Sequence, residues 1–491
     1  MNILVIDVGT SSIRGILYNK LGETLFCHQI GYQVHYFGEG LAEQDPMDWS
    51  HTLIKICRET SSFCLEHRLR VDALALTSQR SSIIPVGRDG VPLRPAIMWQ
   101  DKRNAGIAAE LAPHMAFVNS LTGARINTVF SGTKMTWLKR NEPEIYDRTE
   151  KICTIADYIV YQITGLFRTD HTYGSRSLLM NIRTRCWDEE LLKLFEVDRE
   201  KLCDLVQPGS CIGTVTKSFA GLTGIPDGIP LISAGGDQQC SALGHGVTRA
   251  KTMELTTGTG AFLLGCCNNI PEHLSDNIIC GAHAIPEKYV LESSMLACAA
   301  MYNWMKEILF PGEEGFEAIN ESVMRSPAGS NGVLVLPYFQ GRGTPDWNNK
   351  ASGCFAGLNL GTTRDDMARA VLEGIAYETG INLNILQDYM GRAEQIYIGG
   401  GLTKFRTFNQ IQADVYQHEL LRNRDNAEQT AFGAWISAAV TLGLYDSYDR
   451  AMSHIRQQSR YEQYIPDENT RDIYADRQKA MAEYYKKIYD C

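Results

Sequence analysis

The chain has 491 residues, more than a single hydrophobic core usually serves, so two domains are expected. A hydrophobic fraction of 44% and a charged fraction of 21% exclude a disordered or fibrous protein, and a net charge of −10 without a long basic cluster excludes an ordinary nucleic-acid binder. No apolar run approaches the roughly 18 residues of a membrane span, and Asp7 and Arg14 interrupt any signal peptide. The 14 cysteines form no Cys-x-x-Cys pair. We therefore expect a cytoplasmic protein without membrane contact.

The first predicted element is a β-hairpin at the start of the chain. The apolar run 3–6 predicts a strand that ends at Asp7, residues 8–12 form a turn with one glycine and three hydroxyls, and alternation over 13–17 predicts the second strand. A carboxylate followed by a tight turn with free N–H groups can hold a hydrated divalent metal together with terminal phosphates. The alternative is an ordinary hairpin with Asp in its turn.

Two later strands also end in polar loops. Residues 71–77 run into Ser78-Gln79-Arg80, and residues 228–234 run into Gly235-Gly236-Asp237. Because ligands bind at the carboxyl ends of strands in open α/β sheets, both loops are candidate ligand sites. Asp237 alone is equally compatible with a helix N-cap, for which Asp is a preferred residue.

A second hairpin of the same plan occurs at residues 255–264, where Gly258-Thr259-Gly260 separates two apolar runs. It predicts a duplicated fold, with domains at 1–247 and 248–491 and a nucleotide between them. Further along, the pattern predicts a long helix after Thr363, a strand that ends in the glycines 399–401, and a helix from about 405 to 416. The polar helical tail after Tyr445 is expected to cover the second domain.

The chain lacks the P-loop and the full dinucleotide-binding motif, so the two Gly-Thr turns are the expected phosphate holders. With these turns, several segments stand in the order typical of one family: 7–14, 78–80, 96–103, 130–134, 235–239, 258–260, 372–377 and 399–401. In these segments the chain resembles the FGGY carbohydrate kinases, a branch of the actin, hexokinase and heat-shock ATPase superfamily. The resemblance implies an α/β, two-domain actin-like (ribonuclease H-like) ATPase fold with a cleft between duplicated domains. It also implies ATP and Mg²⁺ as cofactors.

The resemblance assigns a role to each candidate residue. Asp237 is the expected catalytic base, and Asp7 and Asp237 are expected to hold Mg²⁺, mostly through water. The predicted substrate-binding residues are Gln79, Arg80, Trp99, Asp237 and Gln238. The predicted ATP-binding residues are Thr10, Ser11, Ser12, Arg14, Gly258, Thr259, Gly400 and Gly401. From the residues alone, Arg14 could equally be an exposed strand residue and Trp99 a core residue.

The expected substrate is a small sugar or polyol, and a homodimer is left open. Several segments look most like glycerol kinase, but Ser81 stands where those enzymes carry Glu, and Val129 stands where they carry Tyr. On the adenine side, Ala299 and Asn303 replace Gly and Gln, and a xylulokinase would show Gln-Met-His at 79–81. These departures favour a ketopentose-like sugar or a larger polyol over glycerol. The alternatives are glycerol kinase proper, a catalytically silent sugar or nucleotide sensor on the same fold, and an actin-like or heat-shock ATPase.

Overall fold

The computed structural model describes residues 1–312, 315–425 and 428–489. The chain forms two compact units that are interleaved in sequence. The first unit contains residues 1–248, 268–290 and 428–457, and the second contains the described residues of 249–267, 291–427 and 458–491. Within the described residues no helix is long and apolar enough to cross a membrane.

The strands, in chain order, are β1 (Ile3–Val8), β2 (Ser12–Tyr18), β3 (Thr24–Gly31), β4 (His35–Phe37), β5 (Leu41–Gln44), β6 (Ala73–Ser78), β7 (Ile84–Val86), β8 (Ala96–Ile97), β9 (Lys151–Cys153), β10 (Arg168–Asp170), β11 (Met180–Asn181), β12 (Cys186–Trp187), β13 (Asp204–Val206), β14 (Cys211–Thr214), β15 (Pro230–Gly236), β16 (Thr252–Thr257), β17 (Ala261–Cys267), β18 (Ile279–Ala282), β19 (Tyr289–Met295), β20 (Leu334–Leu336), β21 (Cys354–Ala356), β22 (Gln395–Gly399), β23 (Leu420–Asn423) and β24 (Tyr461–Tyr464).

The α-helices are α1 (Pro46–Glu66), α2 (Ala105–Leu111), α3 (Met115–Thr122), α4 (Ser131–Asn141), α5 (Pro143–Arg148), α6 (Ile155–Thr164), α7 (His171–Gly174), α8 (Glu189–Leu194), α9 (Lys217–Thr223), α10 (Asp237–His245), α11 (Ala299–Leu309), α12 (Glu317–Arg325), α13 (Arg364–Met390), α14 (Arg406–Tyr416), α15 (Gln429–Thr441), α16 (Tyr448–Gln458) and α17 (Arg471–Tyr489).

A six-stranded sheet in the order β14-β15-β6-β1-β2-β3 forms the centre of the first unit. Alternate residues of β1 enter different cores: Leu4, Ile6 and Val8 pack with helices α1 and α6, whereas Ile3 and Val5 pack with α10, α15 and α16. Because both faces are covered, β1 reads as a continuous apolar run rather than an alternating one. This covered sheet confirms the predicted α/β class.

The second unit contains a sheet with β17, β16, β22, β23 and β24 in that order. Strands β16 and β17 form an antiparallel hairpin, and β22 runs parallel to β16, with Thr256 opposite Gly399. Helix α13 begins at a capping box between Thr363 and Asp366, as the pattern after Thr363 predicted. Helices α13 and α17 pack together with β20 in a small core that includes Tyr377 and Tyr474.

The C-terminal tail differs from its prediction. Helix α16 does not cover the second unit but belongs to the first, where Ala451, Met452 and Ile455 are buried in the core beneath β1. Strand β24 then pairs with β23, and only α17 packs on the second unit as expected. The periodicity of α16 showed that one face is buried, but periodicity carries no information about which core that face enters.

Candidate active site

Three neighbouring parallel strands of the first unit end at the same edge of the sheet. Strand β6 lies between β1 and β15, and the register places Ser78 opposite both Val8 and Gly236. The residues that follow these strands are therefore neighbours, although about 160 positions of sequence separate the last two loops. The three loops begin at Gly9, Gln79 and Asp237, which are the turns that the sequence predicted as ligand sites.

The first of these loops is the turn between β1 and β2. Its shape is fixed through carbonyl groups: the Gly9 carbonyl accepts hydrogen bonds from Tyr32 Oη at 2.6 Å and from Gln79 Nε2 at 3.1 Å. The Gly9 N–H closes the turn by donating to the Ser12 carbonyl at 2.9 Å. Within the described part of the chain, the N–H groups of Thr10 and Ser11 donate no hydrogen bond. Successive N–H groups of this kind form a cradle for a phosphate oxygen.

Asp7 lies at the end of β1, directly opposite Arg14 of β2. Its side chain is buried, and its carboxylate accepts no hydrogen bond from any described residue. Burial raises the pKa of Asp7 to about 7; Arg14 lowers it, while the carboxylates of Asp237 and Glu428 raise it further. A divalent cation would favour the charged form, so this carboxylate suits a metal ligand.

Asp237 is the first residue of α10, and the N-cap is Gly236, so the helix-cap alternative for Asp237 does not apply. Its carboxylate forms an ion pair with Arg80, with 3.3 Å between Oδ1 and Nε, and accepts the Gln238 N–H at 2.8 Å. Gly236 is required for this packing, because a Cβ atom there would lie 2.7 Å from Arg80 Cδ. Gln238 is half-buried, and no described residue donates a hydrogen bond to its Oε1.

Trp99 and Gln79 occupy different environments beside this pair. Trp99 is half-buried rather than a core residue, and its Nε1 donates to Thr10 Oγ1 at 3.3 Å. Gln79 is fully buried, with its amide between the Gly9 carbonyl and Ser82 Oγ. The side chain of Gln79 therefore ties the second loop to the first. Ser82, which the sequence analysis did not single out, also binds the Trp99 N–H at 3.0 Å.

The two substituted positions, Ser81 and Val129, lie in the same wall of the first unit. Ser81 has a left-handed backbone (φ 73°), and its carbonyl accepts a hydrogen bond from Ser131 Oγ at 3.3 Å. Lys134, on the first turns of α4, donates to the carbonyls of Thr128 and Val129 at 2.6 and 2.7 Å. Burial lowers the pKa of this lysine to about 7. A neutral amine still has two N–H donors, one for each carbonyl.

The predicted ATP-binding residues of the second unit lie close together. The turn 258–260 connects β16 to β17, and the Gly258 carbonyl accepts the N–H of Ala299 at 2.8 Å. Gly400 follows β22 with φ 89°, and a Cβ atom there would lie 2.4 Å from the Thr257 carbonyl oxygen. Gly401 has open space around its Cα. Thr259, Gly400 and Ala299 thus belong to one cluster of loops, in which glycine permits close backbone approach.

Comparisons with known proteins identify the family of this chain. Residues 2–244 match the N-terminal domain, and residues 253–442 the C-terminal domain, of the FGGY family of carbohydrate kinases. The chain belongs to this family. Its relatives include a glycerol kinase of Deinococcus radiodurans, 31% identical over 98% of this chain and 97% of the relative, and a xylulose kinase of Staphylococcus xylosus, 27% identical over 99% of both.

Solved structures of the same fold cover nearly the whole kinase. The ligand-bound xylulose kinase of Lactobacillus acidophilus superposes with a TM-score of 0.93 at 24% identity, covering 99% of this chain and 98% of that one. Plasmodium falciparum glycerol kinase with ADP gives 0.90 at 25% identity and 98% coverage of both chains. The actin-like ATPase fold predicted from the sequence is confirmed, as is the activity class: an ATP-dependent phosphotransferase with an alcohol group as acceptor.

Glu428 is the clearest functional candidate that sequence reasoning missed in this kinase. It stands immediately before α15 and forms an ion pair with Arg14 through Nη1 of the guanidinium. More than 400 residues separate the two side chains in sequence, and Glu428 belongs to no motif, so the sequence offers no signal for this pairing. Arg14 is therefore neither a free surface residue nor a core residue but one half of a partly exposed ion pair.

Proposed function

We propose that this kinase transfers the γ-phosphate of ATP to a hydroxyl of a ketopentose-like sugar or a larger polyol, with Asp237 as the general base. The observation that carries the proposal is the meeting of Asp237, Arg80 and the Gly9–Ser12 turn at the carboxyl ends of three adjacent strands. A phosphate held at this turn is then close to an acceptor held at Asp237. Phosphoryl transfer needs little more than such positioning together with charge stabilisation.

The acceptor is held by the polar groups around Asp237. In this mechanism Asp237 accepts the proton of the attacking hydroxyl, and Arg80 keeps the carboxylate oriented while binding neighbouring hydroxyl oxygens. Gln238 Oε1, buried without a partner, accepts a hydrogen bond from another substrate hydroxyl. The indole of Trp99 packs against the carbon chain. Gln79 supports the acceptor site indirectly, because its side-chain amide is hydrogen-bonded to the Gly9 carbonyl and to Ser82 Oγ.

The residues proposed to bind ATP, the phosphate donor, fall into two groups. Thr10, Ser11, Ser12 and Arg14 hold the terminal phosphates, and the backbone of Gly258, Thr259, Gly400 and Gly401 contacts the rest of the nucleotide. The carboxylates of Asp7 and Asp237 fit a hydrated Mg²⁺, since Asp7 is buried without a hydrogen-bond donor and each carboxylate disfavours the charge on the other. When bound, Mg²⁺ supplies positive charge to the phosphates.

The substitutions at the acceptor wall decide the substrate class. Ser81 forfeits the charge-assisted hydrogen bonds that a carboxylate would make, worth about 1.5 to 3 kcal/mol. Val129 in place of an aromatic ring leaves space beside the acceptor. A longer sugar can fill that space with its own hydroxyls, which glycerol cannot. Glycerol kinase proper remains the second candidate, because glycerol kinases reach 31% identity with this chain.

A substrate panel tests this function. Ketopentoses, deoxyketoses, polyols and glycerol would be assayed with Mg-ATP, and kcat/KM for some ketose or larger polyol should exceed that for glycerol by at least about tenfold.

Asp237→Asn should lower kcat by about 10² to 10⁴-fold while ADP binding is retained. The exposed Asp204→Asn serves as the matched control with unchanged kcat. Glycerol as the best substrate would refute the specificity, and near-normal kcat of Asp237→Asn would refute the base. Binding of sugar and nucleotide by the wild-type protein without any turnover would instead support a silent sensor.

We place the reaction in the cytoplasm, because the described cysteines are free thiols, as a reducing compartment requires. Among these thiols, Cys240 and Cys298 are buried and Cys354 is half-buried. Assembly into a homodimer stays a prediction, which sedimentation of the purified protein would test.

A further inference from the structure

The guanidinium group of Arg14 is held at only one of its corners. Nη1 donates to the Glu428 carboxylate, and the described residues provide no other hydrogen bond to this side chain. Nε is buried and has no hydrogen-bond partner among the described residues. The Nε and Nη2 donors form the edge of a guanidinium that binds two oxygens of one anion in parallel. Arg14 therefore keeps two donors, Nε and Nη2, that the described residues do not use.

The strand register places the Arg14 side chain on the same face of the hairpin as Asp7. Arg14 stands directly opposite Asp7 in the antiparallel pair, so both side chains leave the same face of the hairpin that carries the Gly9–Ser12 turn. An exposed arginine would lose side-chain entropy on being ordered at the moment a phosphate binds. An arginine already fixed at Nη1 has lost part of that freedom beforehand.

Glu428 is itself firmly placed. It precedes α15, whose residues Phe432 and Trp435 are buried against the central sheet. The backbones of α15 and α10 are in direct contact, since a Cβ atom on Gly433 would lie 1.8 Å from the Cys240 carbonyl oxygen. The first turn of α15 cannot shift without breaking this contact. The Glu428 side chain makes no capping hydrogen bond to its own helix, so capping does not account for its carboxylate.

We infer that Glu428 is a positioning residue: it fixes Arg14 by Nη1 so that the Nε–Nη2 edge receives the terminal phosphate of ATP. The inference rests on the proposed function, in which Arg14 meets that phosphate. Glu428 does not touch the nucleotide, and its effect is restricted to ligands that carry the third phosphate. A carboxylate that only stabilised the helix would affect ADP and ATP equally.

The test compares two nucleotides by titration calorimetry in the presence of Mg²⁺: ADP and the non-hydrolysable β,γ-imido analogue of ATP. Glu428→Gln keeps the size of the side chain but removes the charge-assisted bond, so affinity for the analogue should fall about tenfold while that for ADP changes less than about twofold. Arg14→Met should show the same selectivity, and Glu428→Gln should add no further loss in the Arg14→Met background. The matched control is Glu287→Gln, which breaks the Arg185 ion pair elsewhere in the first unit and should leave both affinities unchanged.

Several outcomes would overturn the inference. Equal loss of affinity for both nucleotides would show that Glu428 has only a structural role. Additive losses of affinity in the double variant would show that Glu428 does not act through Arg14. Tighter binding of the analogue would mean that Glu428 competes with the phosphate for Arg14. If Glu428→Gln fails to fold, Glu428→Asp keeps the charge but withdraws it from Nη1, and should give the same selective loss. Because the readout is binding without an acceptor, it is independent of the sugar. A wild-type protein that phosphorylates none of the panel would refute the proposed function and leave the selectivity of these variants still measurable.

Discussion

Replacing Asp7 by Asn should make the nucleotide-free protein more stable at neutral pH while abolishing its response to Mg²⁺. The side chain is only 8% exposed, and burial raises its pKa from the ordinary 3.8 to about 7. A raised carboxyl pKa means that the folded state binds the proton more tightly than the unfolded state. Folding stability is therefore lost as the pH rises from the unfolded pKa to the folded one.

The magnitude follows from this interval. Each pH unit between about 4 and 7 removes about 1.4 kcal/mol, so that about 4 kcal/mol is lost in total once the pH exceeds the folded pKa. Asn does not titrate and avoids the whole loss. The difference in stability between Asp7→Asn and the wild type should therefore grow by about 2 kcal/mol between pH 5.5 and 7 and stay constant above that range.

Thermal unfolding in EDTA from pH 5.5 to 8.5 measures this difference, and repetition with Mg²⁺ should stabilise the wild type but not Asp7→Asn. Subtraction at each pH cancels the titration of groups that behave alike in both proteins, and the change of this difference with pH is free of any constant effect of the amide. A difference that is independent of pH would refute the argument, because it would show that Asp7 is already ionised in the folded protein. Asp204→Asn, at an exposed position of the same unit, is the control for which no such dependence is expected.

Three further predictions concern the surroundings of the site. Gly400→Ala should lower the free energy of unfolding by at least about 1 kcal/mol and weaken ADP binding, because the backbone is left-handed and Cβ would meet the Thr257 carbonyl. Gly401 has open space, so Gly401→Ala should change the free energy of unfolding by less than about 0.5 kcal/mol and leave the ADP affinity unchanged. Thermal unfolding and titration calorimetry measure these two quantities. Ser81→Glu should restore a carboxylate beside the acceptor and raise kcat/KM for glycerol relative to the best ketose by about tenfold, and an unchanged ratio would show that this position does not set specificity. Lys134→Met should cost about 1 to 3 kcal/mol for each of the two carbonyls it orphans and raise KM for the acceptor more than for ATP, and equal increases would contradict its assignment to the acceptor wall.

The sequence predicted the strands and turns of the site well because each carries a local signal. The strands expected at 71–77 and 228–234 are found at Ala73–Ser78 and Pro230–Gly236, and the helix expected from about 405 to 416 spans Arg406–Tyr416. Apolar runs bounded by glycine and polar residues define such elements without reference to the rest of the chain. Since parallel strands end at one edge, the fold class made both loops candidate ligand sites. That Asp237 and Arg80 are neighbours is known only from the pairing of β15 with β6.

What the sequence could not supply is the pairing of distant segments. The first crossing between the compact units, after Thr248, lies one residue from the boundary at 247/248, but the chain crosses again after residues 267, 290, 427 and 457. No composition change marks those crossings. For the same reason neither the ion pair of Arg14 with Glu428 nor the membership of α16 in the first unit was predicted. Amphipathic periodicity states that a face is buried and leaves its partner unspecified.

The two hairpins show how one backbone plan serves two kinds of chemistry. In each, an antiparallel pair is joined by a glycine turn, and a parallel strand follows on the other side: β6 beside β1, and β22 beside β16. Two residues before the turn glycine, the first hairpin carries Asp7 and the second carries Thr256. The first turn is held by its carbonyls, and among the described residues its Thr10 and Ser11 N–H groups have no partner. Asp7 and Arg14 bring both signs of charge beside it. The second is packed against the loops of Ala299 and Gly400 through its backbone. Charged groups are costly to bury unless they are paired or bind a ligand. Under the proposed function, the charges beside the first turn serve phosphoryl transfer, whereas the second turn offers a backbone that a nucleotide can approach closely.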